Sequence, residues 1–405
     1  MTDKIHIENL TKIFGPNIKQ AEQLLSKGLP KEEILAETGA VAAVNHVDAD
    51  IKDGEIFVIM GLSGSGKSTL IRMMNRLIEP TEGRIEIDGQ DICRLPVKEL
   101  RRIRRTKINM VFQNFALFPH RTVLDNTAYG LEIRGVPPEK RRARAGAVLE
   151  RTGLAAYKDQ YPSQLSGGMQ QRVGLARALS NDPEILLMDE AFSALDPLIR
   201  QDMQDELLEL QEQMKKTIVF VTHDLNEALK VGNRIAIMKD GVIVQVGTGE
   251  EILTRPADDY IRRFSEGVDR TRILSVEHIM SRPKNVINVE RAGLHTALSL
   301  MVHQDVPFLI LSNSSHALLG YITDKDTALE IQQHGPEASY KSIVRKDIPS
   351  VSFDTPIPEV YQYLLSQDMP VVVLDRGSVK GLITRRNIVE LLASRVPAGE
   401  SGAVS

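Results

Sequence analysis

The sequence is poor in cysteine and has no long apolar run. Its single cysteine, Cys93, cannot form a disulfide within the chain, which favours a reducing compartment. No stretch approaches the roughly 18 apolar residues of a membrane-spanning helix, and the first ten residues lack a signal-peptide pattern. The net charge of −4 indicates neither a nucleic-acid binder nor a disordered acidic tail. We therefore expect a cytoplasmic protein that depends on other subunits for any membrane passage.

The length of the chain and its apolar pattern indicate several domains. At 405 residues, the chain is too long for one ordinary core. Residues 1–267 alternate strand and helix patterns, which predicts an α/β domain with a mostly parallel sheet. Apolar runs at 55–60, 184–188 and 217–221 suit central strands covered on both faces. Residues 16–40 interrupt this pattern and predict an inserted helical hairpin, while Pro197 fits the first turn of a helix over 197–216.

A weak internal repeat follows at about residue 270. An apolar run after Pro307 leads to Gly320, and a similar run after Pro370 leads to Gly381. These proline-to-glycine spacings are 13 and 11 residues. Two βαβ-like units, over 272–332 and 338–394, explain the pattern better than chance and predict an α+β module. Residues 395–405 are expected to form a frayed tail.

A glycine-rich segment directly follows the first apolar run and fits the phosphate-binding pattern GxxxxGK[ST]. In such a loop, backbone N–H groups surround the phosphates and the lysine reaches the β- and γ-phosphate oxygens. The following helix, roughly 67–77, directs its positive end at the same anion, and the Ser68 hydroxyl is placed to bind Mg²⁺. A glycine-rich turn without a ligand is the weaker alternative. The predicted ATP-binding residues are Gly61, Leu62, Ser63, Gly64, Ser65, Gly66, Lys67, Ser68 and Thr69.

Two carboxylates stand at the end of the second apolar run. Asp189 can hold Mg²⁺ through water, and Glu190 can polarise the attacking water of a phosphoryl transfer. Alone, this pair is a weak signal, and a structural role is the alternative. Together with the glycine-rich loop, it predicts ATP hydrolysis.

The segment at 165–172, Leu-Ser-Gly-Gly-Met-Gln-Gln-Arg, resembles the signature motif of the ABC ATPases. P-loop ATPases in general lack this motif. Three further parts of the sequence resemble motifs of the same family. The residues around Gln113 resemble its glutamine motif, the segment at 193–196 resembles its D-loop, and His223 resembles its switch histidine. Six such motifs occur in the family's order across residues 1–250. The chain is therefore identified as a member of the ABC ATPases. This resemblance implies a P-loop NTPase domain with a mostly parallel sheet and a helical signature subdomain.

This resemblance implies roles for several side chains. Glu190, Gln113 and His223 are the implied catalytic residues, with His223 as the γ-phosphate contact. Ser68, Gln113 and Asp189 are the implied Mg²⁺ site. Without the family series, a histidine after a strand is usually structural.

The resemblance also implies that ATP lies between two copies of the chain. The signature residues Ser166, Gly167, Gly168 and Gln170 start a helix, an anion-binding end that would cap the ATP of the partner subunit. Asp196 belongs to the implied D-loop. Phe14 is the candidate for stacking on adenine, and a core aromatic is the alternative.

Three features resemble the branch of ABC importers that carries osmoprotectants. They are the inserted hairpin, the 59–66 segment and the C-terminal repeat, which is similar to a pair of CBS domains over 272–394. Residues 112–131 resemble the surface that receives the coupling helix of a membrane subunit. The implied function is ATP hydrolysis that powers import of glycine betaine or a related quaternary amine or proline-type solute. The implied partners are a second copy, transmembrane permease subunits and a substrate-binding protein or domain, at the cytoplasmic face of the membrane.

Other functions remain as alternatives. A soluble ABC ATPase of DNA repair or translation would carry long coiled-coil inserts or tandem ATPase cores, which this sequence lacks. An importer for another small polar solute fits the same motifs. A nucleotide-sensing regulator is a third possibility, against which the intact catalytic set argues.

In CBS units, a threonine and a nearby aspartate can bind a nucleotide ribose. Thr323 and Asp326 match that pattern, whereas Thr384 is followed by Asn387 in place of aspartate. The resemblance therefore allows an adenine nucleotide or cyclic di-AMP here. A purely structural or dimerising module is the equal alternative.

Residues 98–107 hold six basic side chains against one glutamate. No aromatic residues are interleaved with them, so we predict no nucleic-acid binding. A solvated helical face is the default interpretation. Contact with anionic lipid or with the membrane subunit is the alternative.

Overall fold

The computed structural model describes residues 3–193, 195–265, 268, 271, 273–283, 285–366 and 369–393. Contacts divide the chain into two compact units, Met1–Ser265 and Glu266–Ser405. The predicted tail at 395–405 and the predicted domain ends Gly267, Arg272 and Ser394 lie outside the described residues. Of the helices described, none is both long and apolar enough to span a bilayer.

A mostly parallel sheet in the first unit contains the three strands that the apolar runs predict. Its order is β10-β9-β3-β8-β7-β6, in which β10 pairs antiparallel with β9 and the other neighbours are parallel. Every residue of β3, β7 and β8 is buried, as expected for central strands covered on both faces. The predicted fold class is confirmed. The strands are β3 (Ile56–Met60), β6 (Ile108–Val111), β7 (Ile185–Asp189), β8 (Thr217–Thr222), β9 (Arg234–Lys239) and β10 (Val242–Gly247).

A second sheet of the first unit is antiparallel, and the alternation of strands and helices does not predict it. Its strands are β1 (Asp3–Phe14), β2 (Val41–Lys52), β4 (Glu82–Ile87) and β5 (Gln90–Asp91), in the order β2-β1-β4-β5. Ile5, Ile7 and Ile85 from this sheet share one buried cluster with Phe57 and Ile59 of the parallel sheet. A common core therefore holds the two sheets together.

Between β1 and β2 the chain forms two short helices, α1 (Ile18–Ser26) and α2 (Lys31–Thr38). Ala21, Leu25 and Ile34 are buried against Ile13 and Ala42 of the antiparallel sheet. This small apolar cluster fixes the hairpin beside the end of β1.

The remaining helices of this unit include a compact helical group, which confirms the predicted helical subdomain. α5, α6 and α7 pack on one another around Val123, Leu149, Val173 and Ala176. The helices are α3 (Lys67–Met74), α4 (Val97–Thr106), α5 (Val123–Ile133), α6 (Pro138–Arg151), α7 (Gly167–Ser180), α8 (Pro197–Met214), α9 (Leu225–Val231), α10 (Gly249–Thr254) and α11 (Asp259–Phe264).

The helix after the glycine-rich loop is shorter than predicted. This helix, α3, ends at Met74 instead of about residue 77. Arg76 takes a left-handed backbone conformation with φ +56°, which no α-helix continues. Arg104 of the basic helix α4 donates from Nε to the carbonyl of Asn75 at 2.8 Å and from Nη2 to the carbonyl of Arg76. The basic run is thus more than a solvated face, because one of its arginines caps α3.

The second unit contains the same order of elements twice. β11 (Val286–Asn288), α12 (Leu294–Gln304), β12 (Phe308–Ser312), β13 (Leu318–Thr323) and α13 (Asp324–His334) form one copy. After α14 (Tyr340–Ile343), the second copy comprises β14 (Ser350–Ser352), α15 (Ile357–Ser366), β15 (Val371–Asp375), β16 (Ser378–Ile383) and α16 (Arg385–Ala393). In each copy the first two strands are parallel and the last two antiparallel. Ile310, Tyr321, Ile348, Val372 and Leu382 form a core that both copies share.

Candidate functional site

The Gly61–Ser68 loop joins β3 to α3, and two of its glycines cannot be replaced without a clash. Gly61 has φ +153°, and a Cβ there would lie 2.1 Å from the carbonyl oxygen of Met238. Gly66 has φ +104°, and its Cβ would lie 2.3 Å from the carbonyl oxygen of Ala43. The loop therefore packs tightly against β9 and β2, which holds its backbone in place.

Lys67 lies across this loop with only 4% of its surface exposed. Its ammonium donates to the carbonyl of Leu62 at 2.9 Å. Burial lowers the pKa of Lys67, while the nearby carboxylates of Glu190 and Asp189 oppose that shift. In the described part of the chain, the buried hydroxyl of Ser65 has no hydrogen-bond partner. A buried cation and an unsatisfied hydroxyl in a loop of tightly packed backbone fit an anionic phosphate.

Asp189 ends β7 and is almost fully buried. Its Oδ2 accepts from Arg72, at 3.1 Å from Nε and 2.9 Å from Nη2. Its Oδ1 is buried and has no partner among the described residues. One carboxylate oxygen thus remains available for a water or a metal ion. Ser68, in the first turn of α3, is the second oxygen donor, and both residues fit the hard ligands that Mg²⁺ prefers.

Glu190, Gln113 and His223 come together where β6, β7 and β8 end. Gln113 Nε2 donates to Glu190 Oε2 at 3.2 Å, and His223 Nδ1 lies 3.9 Å from the same oxygen. Glu190 has φ +48°, a left-handed conformation that costs on the order of 1 kcal/mol in a non-glycine residue. Its backbone N–H donates to the carbonyl of Val221 at 3.1 Å, which helps to hold this turn. The three predicted catalytic side chains therefore share one oxygen, which can orient a water for attack.

The signature residues lie at the start of α7. Ser166 caps this helix, with its Oγ accepting from the N–H of Met169 at 3.3 Å, and Gly167 and Gly168 supply the first turn. A Cβ on Gly168 would lie 2.6 Å from Ile199 of α8. Gln170 Nε2 donates to the carbonyl of Leu165 at 3.2 Å. Among the described hydrogen bonds, none joins these residues to the Gly61–Ser68 loop of the same chain.

The predicted D-loop leads into α8. Asp196 precedes this helix, and the carbonyl of Leu195 accepts from Arg200 Nη2 at 3.0 Å. Ser193 Oγ donates to the carbonyl of Glu190 at 2.9 Å, which connects the predicted D-loop to the turn at Glu190. Ala194 of the same motif lies outside the described residues.

Phe14, the predicted adenine contact, is 41% exposed at the end of β1. The alternative of a core aromatic is therefore wrong. The ammonium of Lys12 lies 5.0 Å from the centre of the Phe14 ring. Phe14 pairs with Val41 of the neighbouring strand β2. Ala43, two residues further along β2, packs against Gly66 of the phosphate loop. An exposed ring at this register position can stack on a base.

Two residues of this region are missed by the sequence patterns. Arg72 holds Asp189, and its signal is a basic side chain within the apolar second half of α3. The other residue is Glu227 of α9. Its acidic side chain is buried together with the apolar side chains of Leu225 and Val231. It accepts from the Thr222 hydroxyl and from Gln204 Nε2, the latter at 3.1 Å. Burial raises the pKa of Glu227, and these two hydrogen bonds oppose that shift.

In the second unit, the CBS ligand candidates lie at the two strand-to-helix turns. Thr323 caps α13 by accepting from the N–H of Asp326 at 3.2 Å, and Asp326 pairs with Arg345 at 2.6 Å. Thr384 donates to Asn387 Oδ1 at 2.7 Å. Both turns are thus stabilised within the protein itself, as ordinary helix starts are.

The parallel sheet, the phosphate loop and the cluster at Glu190 define a P-loop ATPase of the ABC class. The ABC transporter family model matches residues 44–193, and the CBS domain model matches residues 341–394. A dimeric ATP-binding cassette, solved in a post-hydrolysis state with ADP and Pi, is 37% identical with a TM-score of 0.52. The match covers 60% of this chain and 98% of that one.

Two curated relatives match almost the whole chain. The glycine betaine/carnitine transport ATP-binding protein GbuA of Listeria monocytogenes is 49% identical over 96% of this chain and 98% of its own length. The glycine betaine transport ATP-binding protein OpuAA of Bacillus subtilis is 50% identical over 96% of this chain and 92% of its own. The chain therefore belongs to the same family of ABC transporter ATP-binding proteins, as its motifs predict, and it is an ATPase.

Proposed function

We propose that this protein is the ATP-hydrolysing subunit of an importer for glycine betaine or a related quaternary amine or proline-type osmoprotectant. The observation that carries the proposal is the extent of the match, because both relatives resemble the chain across the cassette, the hairpin and the C-terminal module. That extent argues against a soluble ATPase of DNA repair or translation. An importer for another small polar solute remains the second candidate.

Each side chain of the site has a task in this function. The Gly61–Ser68 loop and Lys67 bind the β- and γ-phosphates of ATP. Glu190 orients a water and accepts its proton, while Gln113 and His223 hold the attacking water and the γ-phosphate in line.

A magnesium ion would be held by Ser68, by Gln113 and, through water, by Asp189. When bound, it supplies positive charge that offsets the phosphate oxygens. Arg72 keeps the Asp189 carboxylate oriented with one oxygen outward.

The site is completed by a second copy of the chain. Ser166 and the free N–H groups at the start of α7 bind the γ-phosphate of the ATP that the partner's loop holds. Closure of two such sites moves the permease subunits, and hydrolysis reopens them. We place the dimer at the cytoplasmic face of the membrane, with permease subunits and a substrate-binding protein or domain. The exposed face of α4 is the candidate for contact with anionic lipid.

Uptake into vesicles tests the transport proposal. The chain would be reconstituted with candidate permease and substrate-binding partners, and uptake of labelled betaine, carnitine, choline and proline would be measured. We expect ATP-dependent uptake of betaine, and none when the chain carries Lys67→Ala, because the phosphate loop then lacks its cation. Uptake of a chemically unrelated solute in place of all four would contradict the proposed substrate class.

For the C-terminal module, we propose a regulatory role with a ligand at the Thr323 turn. The ligand class is an adenine nucleotide or cyclic di-AMP, and Asp326 would accept from its ribose. This requires Asp326 to exchange Arg345 for the ligand. A purely structural or dimerising module is the alternative.

Calorimetry on the full chain separates these two roles. The chain would carry Lys67→Ala, so that the phosphate loop contributes little to the measured nucleotide binding. This protein would be titrated with AMP and with cyclic di-AMP. We expect binding that Asp326→Ala weakens about tenfold, the worth of one charge-assisted hydrogen bond. Glu337→Ala, an exposed carboxylate of the same unit, is the control. No binding at millimolar concentration would leave the module with a structural role.

A further inference from the structure

Lys31, the first residue of α2 in the inserted hairpin, has a partly buried side chain. Within the described part of the chain, it makes neither a hydrogen bond nor an ion pair. Burial lowers the pKa of Lys31, and the negative charges of Asp240 and Glu32 oppose that shift. An amine that loses water without gaining an acceptor is costly to keep, so it calls for an explanation.

The ammonium lies against the turn between β9 and β10. Gly241 in this turn has φ +82°, and a Cβ there would lie 2.9 Å from Lys31 Nζ. The same point is 2.9 Å from the carbonyl oxygen of Ala43. Lys31 Nζ and the carbonyl of Ala43 therefore approach the same side of this glycine, and the same carbonyl also faces Gly66 of the phosphate loop.

The Gly241 turn is itself part of the support of the phosphate loop. Its N–H donates to the carbonyl of Ser65 at 3.0 Å, and its carbonyl accepts from Asn45 at 2.8 Å. Phe14 approaches the same edge, because it pairs with Val41 next to this part of β2. The hairpin leaves the sheet directly after Phe14 and returns directly before Val41. The exposed ring, the phosphate loop and Lys31 therefore gather around one edge of the antiparallel sheet.

We propose that Lys31 is a further nucleotide-binding residue, whose ammonium donates to a ribose or α-phosphate oxygen of the ATP held by the Gly61–Ser68 loop. An ammonium is only a donor, so its missing partner must be an acceptor, and ATP brings many acceptor oxygens to this edge. The inserted hairpin thereby becomes part of the nucleotide site. This inference rests on the proposed ATP binding at the loop.

The test is ATP binding by the full chain and by three variants, all carrying Asp326→Ala so that the site proposed at the Thr323 turn contributes little. Lys31→Met should raise the Kd for ATP about tenfold, as expected for one charge-assisted hydrogen bond. The rate at saturating ATP should change less than twofold, because the proposed contact is with the ribose or α-phosphate and not with the reacting γ-phosphate. Lys31→Arg should keep most of the affinity. Lys27→Met, which removes an exposed lysine from the same hairpin, should bind ATP like the wild type.

Smaller ligands identify the oxygen that Lys31 contacts. If the contact is with phosphate, the loss appears with ATP and AMP but not with adenosine, and it shrinks in high salt. If the contact is with the ribose, the loss appears with all three ligands. Either result supports the proposal.

An unchanged Kd for Lys31→Met, with or without a lowered melting temperature, would overturn it and leave Lys31 as a structural tie to the Gly241 turn. Should Lys31→Met fail to fold, Lys31→Gln keeps a polar end without charge and carries the same expectation. Failure of the proposed function looks different, because the wild type itself would then bind no more ATP than Lys67→Ala does.

Discussion

With Glu190→Gln, the protein should bind ATP normally and hydrolyse it at least about 100-fold more slowly, the usual contribution of a general base. The amide keeps the size of the side chain and can keep its contact with Gln113, but it cannot accept a proton from water. In the proposed cycle hydrolysis reopens the dimer, so the ATP-bound dimer should accumulate. Phosphate release measures the first effect, and light scattering with and without ATP measures the second.

A matched change tests whether the effect belongs to Glu190 alone. Glu212→Gln, at an exposed position of α8, makes the same chemical change away from the site and should leave turnover unchanged. Turnover of the Glu190→Gln protein at the wild-type rate would remove Glu190 from the mechanism. The water would then have to be oriented by another group.

Ser166→Arg should abolish ATPase activity while ATP binding to the isolated subunit stays nearly intact. Ser166 caps α7 and makes no described hydrogen bond to the phosphate loop of its own chain. A large cation at this helix start would oppose its positive end and block approach to the partner's nucleotide. ATP binding is measured on the monomer and hydrolysis on the assembled dimer. Strong loss of binding by the monomer would contradict a role in the partner's site.

Mixed dimers test whether each ATP site is shared between the two subunits. When one subunit carries Ser166→Arg and the other Lys67→Ala, one shared site loses both elements and the other keeps both. We expect such dimers to trap one nucleotide, whereas either variant alone traps none. If each site were built within one chain, both sites of the mixed dimer would be damaged, and trapping would disappear there too.

The loop and the strand ends that form the proposed phosphate site can be predicted from the sequence because local patterns encode them. The loop at Gly61 needs glycines where neighbouring carbonyls approach, and its lysine and serine follow at a fixed spacing. The strands that end at Asp189 and before His223 are apolar on both faces. This pattern in the sequence predicts that they lie in the centre of the sheet. Parallel neighbours then bring their carboxyl ends together, as observed at Glu190.

Other features depend on contacts that a local pattern does not contain. The end of α3 depends on Arg104, which is distant in sequence and caps Asn75 and Arg76. The antiparallel sheet escapes prediction because β1 and β2 are separated by the inserted hairpin. Glu227 is buried only because Thr222 and Gln204 satisfy its carboxylate.

The two sheets of the first unit divide the proposed contacts with ATP between them. The parallel sheet presents the reacting end, at Glu190 and His223, whereas the antiparallel sheet presents Phe14 and the hairpin. Contacts far from the reacting phosphate bind the ground state and the transition state alike, so they alter KM more than the saturated rate. In this proposed arrangement, changes in the hairpin shift the ATP concentration at which solute uptake reaches half its maximal rate, and they leave the maximal rate unchanged.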